Sequence, residues 1–281
     1  MSDRTLVVLA AGLGRRFGGI KQVAAVDDAG HTLVDYGVFD AVRAGFDKVV
    51  CVVTPELEKD FHQRVGRSIA RHVELAYAHQ VIPAGRTKPW GTAEAVLVAL
   101  PQVPAAFATV NADDFYGADA YQAMAAFLGD DDQDNAVVGY RLKNTMSEFG
   151  TVSRGVCDVG PDERLVAITE RTALRPAPGG AVDQDGSFYP GDTLVSMNFW
   201  GFRADAARAF TDGFAAFVHR PDAAKAEYYL PDVGGTLVPH VKVLPTSATW
   251  MGVTYAADLP SVRSRIAEMI AAGEYPAELW P

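Results

Sequence analysis

A chain of 281 residues can bury a large core, as two modest domains or as one elaborated α/β domain. With 49% hydrophobic, 10% aromatic and 21% charged residues it lies near the globular average, which excludes disordered, collagen-like and coiled-coil architectures. Thirty-five acidic against 25 basic residues give a formal net charge of −10, which repels polyanions and argues against a nucleic-acid partner; an anionic ligand then needs a local basic pocket.

From Thr5 to Asn111, short β-branched runs alternate with helical stretches, the βαβ pattern of a parallel sheet flanked by helices. Thr5 to Ala10 reads as a buried strand, Leu33 to Ala44 as a helix ended by Gly45, and Lys48 to Val53 as a second strand. Pro55 to Ala70 reads as a helix with proline in its first turn, Val73 to His79 as a strand, Thr92 to Leu100 as a helix stopped by Pro101, and Ala106 to Asn111 as a strand. Beyond Asp114 the pattern predicts a helix over Tyr121 to Leu128 and strands over Ala136 to Tyr140, Gly150 to Cys157, Leu165 to Thr169 and Val195 to Phe202. Three prolines and four glycines fall among the 23 residues from Arg171 to Thr193, which predicts a surface loop or hairpin arm on the substrate side. Helices over Ala204 to Phe217 and Ser261 to Ala272 close the chain. No repeat, charged tail or interdomain linker interrupts it, so residues 1–281 are expected to form a single domain with one continuous sheet.

The strongest chemical signal follows the first strand. Gly12, Gly14, Gly18 and Gly19 and the cations Arg15, Arg16 and Lys21 fall within eleven positions. Glycines let successive backbone N–H groups converge on a ligand, and the cations neutralise charge, so the combination suits a polyphosphate. A Walker A loop is excluded, because no Gly-Lys-Ser/Thr triplet occurs, and the glycine spacing departs from the dinucleotide fingerprint. The plainer alternative is a glycine-rich turn with solvated arginines.

The stretch from Leu9 to Lys21 resembles the signature of the nucleotidylyltransferases that make nucleotide-sugars, LAAGxGxR followed by Lys. The resemblance implies a Rossmann-like, GT-A-like α/β fold: a mixed, mostly parallel sheet flanked by helices, with a β-rich acceptor-binding subregion. On that pattern residues to about 130 form the nucleotide-binding half and about 131 to 281 the acceptor-binding half. The resemblance implies that Arg16 and Lys21 hold the triphosphate, with Ala10, Ala11, Gly12, Gly14 and Arg15 also at the nucleotide. Arg15 stands where a small or hydroxyl residue is usual, and Ile20 where proline usually precedes the lysine. Gly91 and Thr92 resemble the family's Gly-Thr-x-x-Ala segment, which packs on the nucleobase, and Gln80 lies where a base-reading glutamine often precedes it. Trp90 and Thr92 have a plainer reading too, as a packed turn and a helix cap.

Asn111-Ala-Asp113-Asp114 follows a strand, so both carboxylates are expected at the carboxyl edge of the sheet, where open α/β folds bind ligands. Adjacent acids there suit Mg²⁺, which takes one or two carboxylates and fills the rest of its shell with phosphate and water; a helix cap is the alternative for Asp114. The resemblance matches Asp113 to the metal-holding Asp. It further implies acceptor contacts at Gly150, Glu170, Arg171 and Asn198, with Arg171 in place of the usual lysine. Trp250-Met-Gly252 resembles a Trp-x-Asp segment that often gives a second metal ligand, but here glycine holds the acid's position.

Cys51 and Cys157 are too far apart in sequence for a metal knuckle or disulfide framework and fit a reducing compartment. The apolar run Leu6 to Ala11 is too short for a signal or a membrane span, so a cytoplasmic protein with no membrane partner is expected. The six histidines show no ligand spacing, and no hydrolase nucleophile motif occurs. These readings converge on a Mg²⁺-dependent enzyme that moves a nucleotidyl group from UTP or dTTP to a sugar 1-phosphate or other phosphomonoester such as phosphocholine. A homo-oligomer is compatible with the sequence. A nucleotide-binding protein without metal chemistry and a glycosyltransferase are the other readings.

Overall fold

The computed structural model describes residues 4–12, 24–130, 134–147, 150–253 and 256–280. Strand β1 (Thr5–Leu9) is buried on both faces, as its unbroken apolar run requires, and pairs in parallel with β2 (Lys48–Val53) and β4 (Phe107–Asn111). Helix α1 (Leu33–Ala44) is held at its start by a Thr32–Asp35 capping box and ends at Gly45, which adopts the left-handed conformation with φ 95°. The expected helix from Pro55 is α2 (Pro55–Phe61), a π turn over His62–Gly66, then the short α3 (Arg67–Ile69). The π turn brings Gly66 beneath the Tyr77 hydroxyl, where a side chain would collide. Tyr77 lies on β3 (Glu74–His79), the edge strand beside β2.

Helix α4 (Thr92–Ala99) returns the chain to β4; β5 (Asp114–Phe115), α5 (Ala118–Gly129) and β6 (Asn135–Arg141) follow. The second half adds β7 (Val152–Val159), β8 (Leu165–Ala177), β9 (Gly180–Val182), β10 (Phe188–Pro190) and β11 (Leu194–Phe202). Expected only to Thr169, β8 runs on through Ala177, β9 folds back antiparallel on it and β10 on β9, so the Pro- and Gly-rich stretch is a hairpin arm. Asp183 builds one of its turns by accepting from the Asp185 and Ser187 N–H groups. Helix α6 (Ala207–Phe217) stands where expected. Four elements were not legible in the sequence: α7 (Leu230–Thr236), β12 (Val241–Pro245), and the short pair of β5 with β13 (Met251–Gly252). Helix α8 (Leu259–Ala271) closes the described chain.

Eleven strands form one mixed sheet, ordered β10-β9-β8-β7-β11-β4-β1-β2-β3, with β6 paired to β11 and β12 to β6. Strand β11 runs antiparallel to β4, β6 and β7 and so carries the sheet from the first half into the second. One face packs under α1 and α5, around Val38, Met124 and Phe199. The other packs under α4, α6 and α7, around Val96, Trp200, Phe210 and Leu230. A third cluster, with Tyr36, Phe115, Ile266 and Tyr275, fastens α8 and the residues after it to α1. Among the described residues no helix is long and apolar enough to cross a membrane.

Asp40 is buried at this last junction, with Oδ2 accepting from the Tyr275 hydroxyl at 2.6 Å and Oδ1 without a hydrogen-bond partner. Burial pushes its carboxyl up to about 7, against a smaller lowering by that hydrogen bond. The folded state therefore holds a proton that the unfolded chain releases near pH 4, so stability conferred at low pH falls as pH rises from 4 to 7. Asp40→Asn is expected to match the parent near pH 4 and exceed it at pH 8, by at most on the order of 4 kcal/mol, in urea unfolding followed at both pH values.

Candidate active site

The carboxyl ends of β1 and β4 meet at one edge of the sheet, where open α/β folds place their ligands. Ala10 continues the ladder by donating to the Val52 carbonyl at 2.8 Å, and Ala112 donates to the Leu9 carbonyl at 3.1 Å. Ala10 and Ala11 are buried, and the chain surfaces at Gly12. Gly14, Arg15, Arg16 and Lys21 lie outside the described residues.

Beside that edge, the segment from Gln80 to Thr92 is braced from two directions. Gln80 is buried, and its amide donates to the Gly91 carbonyl at 2.9 Å and to Glu94 Oε2 at 2.6 Å. Burial raises the Glu94 carboxyl pKa, and the bond from Gln80 partly offsets it. Gly91 has φ 127°, and a Cβ there would overlap the Tyr228 carbonyl oxygen and stand 2.8 Å from the Tyr228 nitrogen. Backbone lies on backbone here: Tyr228 N–H donates to the Trp90 carbonyl at 2.6 Å, and Ala93 N–H donates to the Tyr228 carbonyl at 3.0 Å. The expected helix cap at Thr92 is instead Gly91, because the Thr92 hydroxyl is turned outward and accepts from Leu230 N–H at 3.0 Å. The Arg86 guanidinium lies 4.1 Å over the Trp90 ring and donates to the carbonyls of Ala223 and Ala226, while Lys88 pairs with Glu227.

Asp113 is half-buried in the turn after β4, and Asp114 is buried on β5. Asp114 Oδ2 accepts from Asn111 Nδ2 at 2.8 Å, with the Tyr116 hydroxyl 3.2 Å away. Asp114 is thus a strand residue and not a cap of α5, which begins after Gly117. Asn198 reaches the same network, donating to Asn111 Oδ1 at 3.4 Å from a bulge in β11 where its own φ is 64°. A non-glycine residue in that region is strained, and such strain recurs where a structure aims one side chain at a site.

A cation that no motif marks joins this cluster. Arg154 on β7 is 7% exposed, and its guanidinium donates to the Thr145 hydroxyl at 3.1 Å, to the Thr145 carbonyl and to the Ser153 carbonyl. It lies 4.8 Å over the Trp250 ring. Burial lowers its pKa to about 10, with Asp114 and Glu170 opposing the shift, so it stays charged at neutral pH. A lone arginine on an alternating strand reads as solvated, and only the fold buries it.

Glu170 and Arg171 are neighbours on β8 and so face opposite sides of the sheet. Glu170 is exposed on the side of Ile168, which packs against α7; partial desolvation there raises its carboxyl pKa, eased by Arg154 and reinforced by Asp232. Arg171 stands 5.8 Å over the Tyr189 ring of the hairpin arm. The expected acceptor pair is therefore divided between two faces. Gly150 is exposed just ahead of β7.

Gly252 pairs with Asp114, and a Cβ there would lie 2.7 Å from Asp114 Oδ1 and overlap the Trp250 ring. An acid at this position cannot be seated without moving the ring. Among the described residues no three His, Cys, Asp or Glu side chains gather into a metal cage. A one- or two-carboxylate set at Asp113 and Asp114 still fits Mg²⁺, which keeps most of its shell for water and phosphate.

The family model for nucleotidyl transferases matches residues 5–228, from β1 to the residue that packs on Gly91. The chain belongs to the nucleotidyl transferase family. No curated protein matches the sequence. A protein assigned as a glucose-1-phosphate thymidylyltransferase from Bacillus anthracis, crystallised with sucrose, superposes with a TM-score of 0.69 at 13% identity, over 93% of this chain and 94% of that one. The inositol-1-phosphate CTP transferase from T. maritima gives 0.67 at 18% identity, over 95% and 98%. At these identities the likeness carries the fold, with β11 and the β7–β8 region included.

Gly91→Ala forces the Tyr228 backbone away and strains φ, so it is expected to weaken binding of the cognate nucleoside triphosphate about tenfold or more while thermal unfolding stays cooperative. Calorimetric titration of parent and variant reads this directly.

Proposed function

We propose that this nucleotidyltransferase moves a uridylyl or thymidylyl group from its triphosphate to a sugar 1-phosphate or like polyol phosphate. The observation that carries the reading is the family match over residues 5–228, a span whose sequence includes the glycine- and cation-rich run after β1, with Gly91 and Asp113 in the segments that follow β3 and β4. An acceptor phosphate oxygen forms a bond to the α-phosphorus as the bond from that phosphorus to the bridging oxygen breaks, and pyrophosphate leaves with the electron pair. A phosphomonoester is largely dianionic at pH 7, so no general base is needed, and catalysis rests on alignment and charge neutralisation. Arg16 and Lys21 supply the neutralising charge on the triphosphate in this reading. Mg²⁺, held by Asp113 with Asp114 beside it, adds charge neutralisation when bound.

The donor preference rests on Gln80. Its amide N–H groups are fixed on the Gly91 carbonyl and Glu94, and the resemblance puts a glutamine at this place in pyrimidine-reading members of the family. On the acceptor side, Glu170 and Asn198 suit hydroxyls, whereas Arg171, on the opposite face of β8 over Tyr189, stands apart from that pair. The two structural neighbours carry names that place a sugar 1-phosphate or inositol 1-phosphate as substrate of those proteins, which supports the same acceptor class here.

With equimolar nucleoside triphosphates and either glucose 1-phosphate or inositol 1-phosphate, mass analysis is expected to find uridine or thymidine products; a cytidine product alone would replace the donor assignment. Lys21→Ala and Asp113→Ala are each expected to lower turnover by about a hundredfold to a thousandfold, the loss of about 2.7 to 4 kcal/mol of transition-state stabilisation. Near-normal turnover in either removes that residue from its role. Glu170 is a stronger acceptor for hydroxyls when ionised and its pKa is raised, so acceptor KM should rise as pH falls from 8 to 6, more steeply in the parent than in Glu170→Gln, which keeps only the titration of the acceptor phosphate.

A further inference from the structure

The wall between the base segment and Glu170 contains an aromatic ring that the assigned site residues leave unexplained. Tyr229 is 37% exposed, one of five exposed large apolar side chains among the described residues. It stands between Tyr228, whose backbone lies on Gly91, and Leu230, whose N–H is held by Thr92, so its place is fixed by the nucleotide side. Its own N–H donates to Asp232 Oδ2 at 2.9 Å, at the start of α7. That helix packs on β8, where Ile168 Cγ2 lies 3.9 Å from the Cβ position of Gly235, and Glu170 shares the Ile168 face. Burial, together with Glu227, Glu170 and Asp232, pushes the Tyr229 hydroxyl up to about 12, so it stays a neutral donor, hydrogen-bonded to Glu227.

A partly exposed ring at the start of the helix that packs on the strand carrying Glu170 offers, with that strand, two surfaces at once: an apolar one for C–H groups and an acceptor for hydroxyls. We propose that Tyr229 is a specificity-determining residue for the acceptor, its ring covering the carbon skeleton of a sugar or cyclitol phosphate while Glu170 takes the hydroxyls. The inference rests on the transfer reaction above and adds a residue to its acceptor side. It also explains why the bridge from Tyr228 to Asp232 touches both substrate regions: the segment that closes on the base carries the acceptor's platform.

The test is steady-state kinetics of the parent, Tyr229→Ala, Tyr229→Leu and Tyr229→Phe, varying acceptor and triphosphate separately, with calorimetric binding of the triphosphate alone. Tyr229→Ala and Tyr229→Leu are expected to raise acceptor KM about tenfold or more, with triphosphate KM and affinity within about twofold of the parent. Tyr229→Phe keeps the ring and should stay near the parent. An unchanged acceptor KM in Tyr229→Ala or Tyr229→Leu overturns the assignment, and so does a parallel rise in triphosphate KM, which would mark a role confined to the bridge. A parent that makes no acceptor-dependent product overturns the transfer reaction itself, and this inference with it; triphosphate binding measured alone tells that failure apart from a misfolded variant.

Discussion

Beside the β4–β11 pairing, the two halves of the chain meet where the backbone of Tyr228 lies on Gly91, a contact that exists only because residue 91 has no side chain. Much else follows from it. With the Tyr228 backbone in place, the Trp90 carbonyl and the Ala93 N–H are both paired, Thr92 turns its hydroxyl to Leu230, and α4 starts one residue earlier than a threonine cap would set it. Gln80 and Arg86 then secure the segment from below and outside. Buried backbone groups without partners are costly, so this interlocking set is expected to move as a unit or not at all.

Charge is handled just as locally. Asp114 is buried beside Gly252, where an acidic side chain would not fit, and Arg154 supplies a fixed buried cation nearby, held over Trp250. Breaking such an arrangement from one side leaves an uncompensated charge in a poorly solvated place, which is why the Thr145 and Ser153 carbonyls that hold Arg154 matter as much as the acids it faces. Asn198 is drawn into the same group by a strained bulge, and its strained backbone is offset by the Thr109 hydroxyl, which donates to its carbonyl at 3.0 Å.

Most of the first half was legible because its signals are local: unbroken β-branched runs for β1, β2 and β4, a capping box and a terminal glycine for α1, and a glycine–cation loop after the first strand. The second half hides what tertiary packing decides. Helix α7 contains Gly234 and Gly235, poor helix formers retained because Gly234 lies against the Trp200 ring and Gly235 against Ile168. Strand β12 is five residues broken by a lysine and ended by a proline, and only its parallel pairing with β6 defines it. The Glu170–Arg171 pair reads as one acceptor motif in sequence, whereas the two-residue repeat of β8 sends the two side chains to opposite faces. Arg154 and Tyr229 carry no motif, and the fold alone gives them their neighbours.

Acceptor-dependent release of pyrophosphate is the most direct test of the account. The purified protein would be supplied with Mg²⁺, each common nucleoside triphosphate in turn, and a panel of sugar 1-phosphates with inositol 1-phosphate and phosphocholine. The account expects release that requires both UTP or dTTP and a sugar or cyclitol phosphate, in equal amount with a nucleotide-sugar product identified by mass. Release without any acceptor, or tight nucleotide binding with no product from any pair, would contradict it.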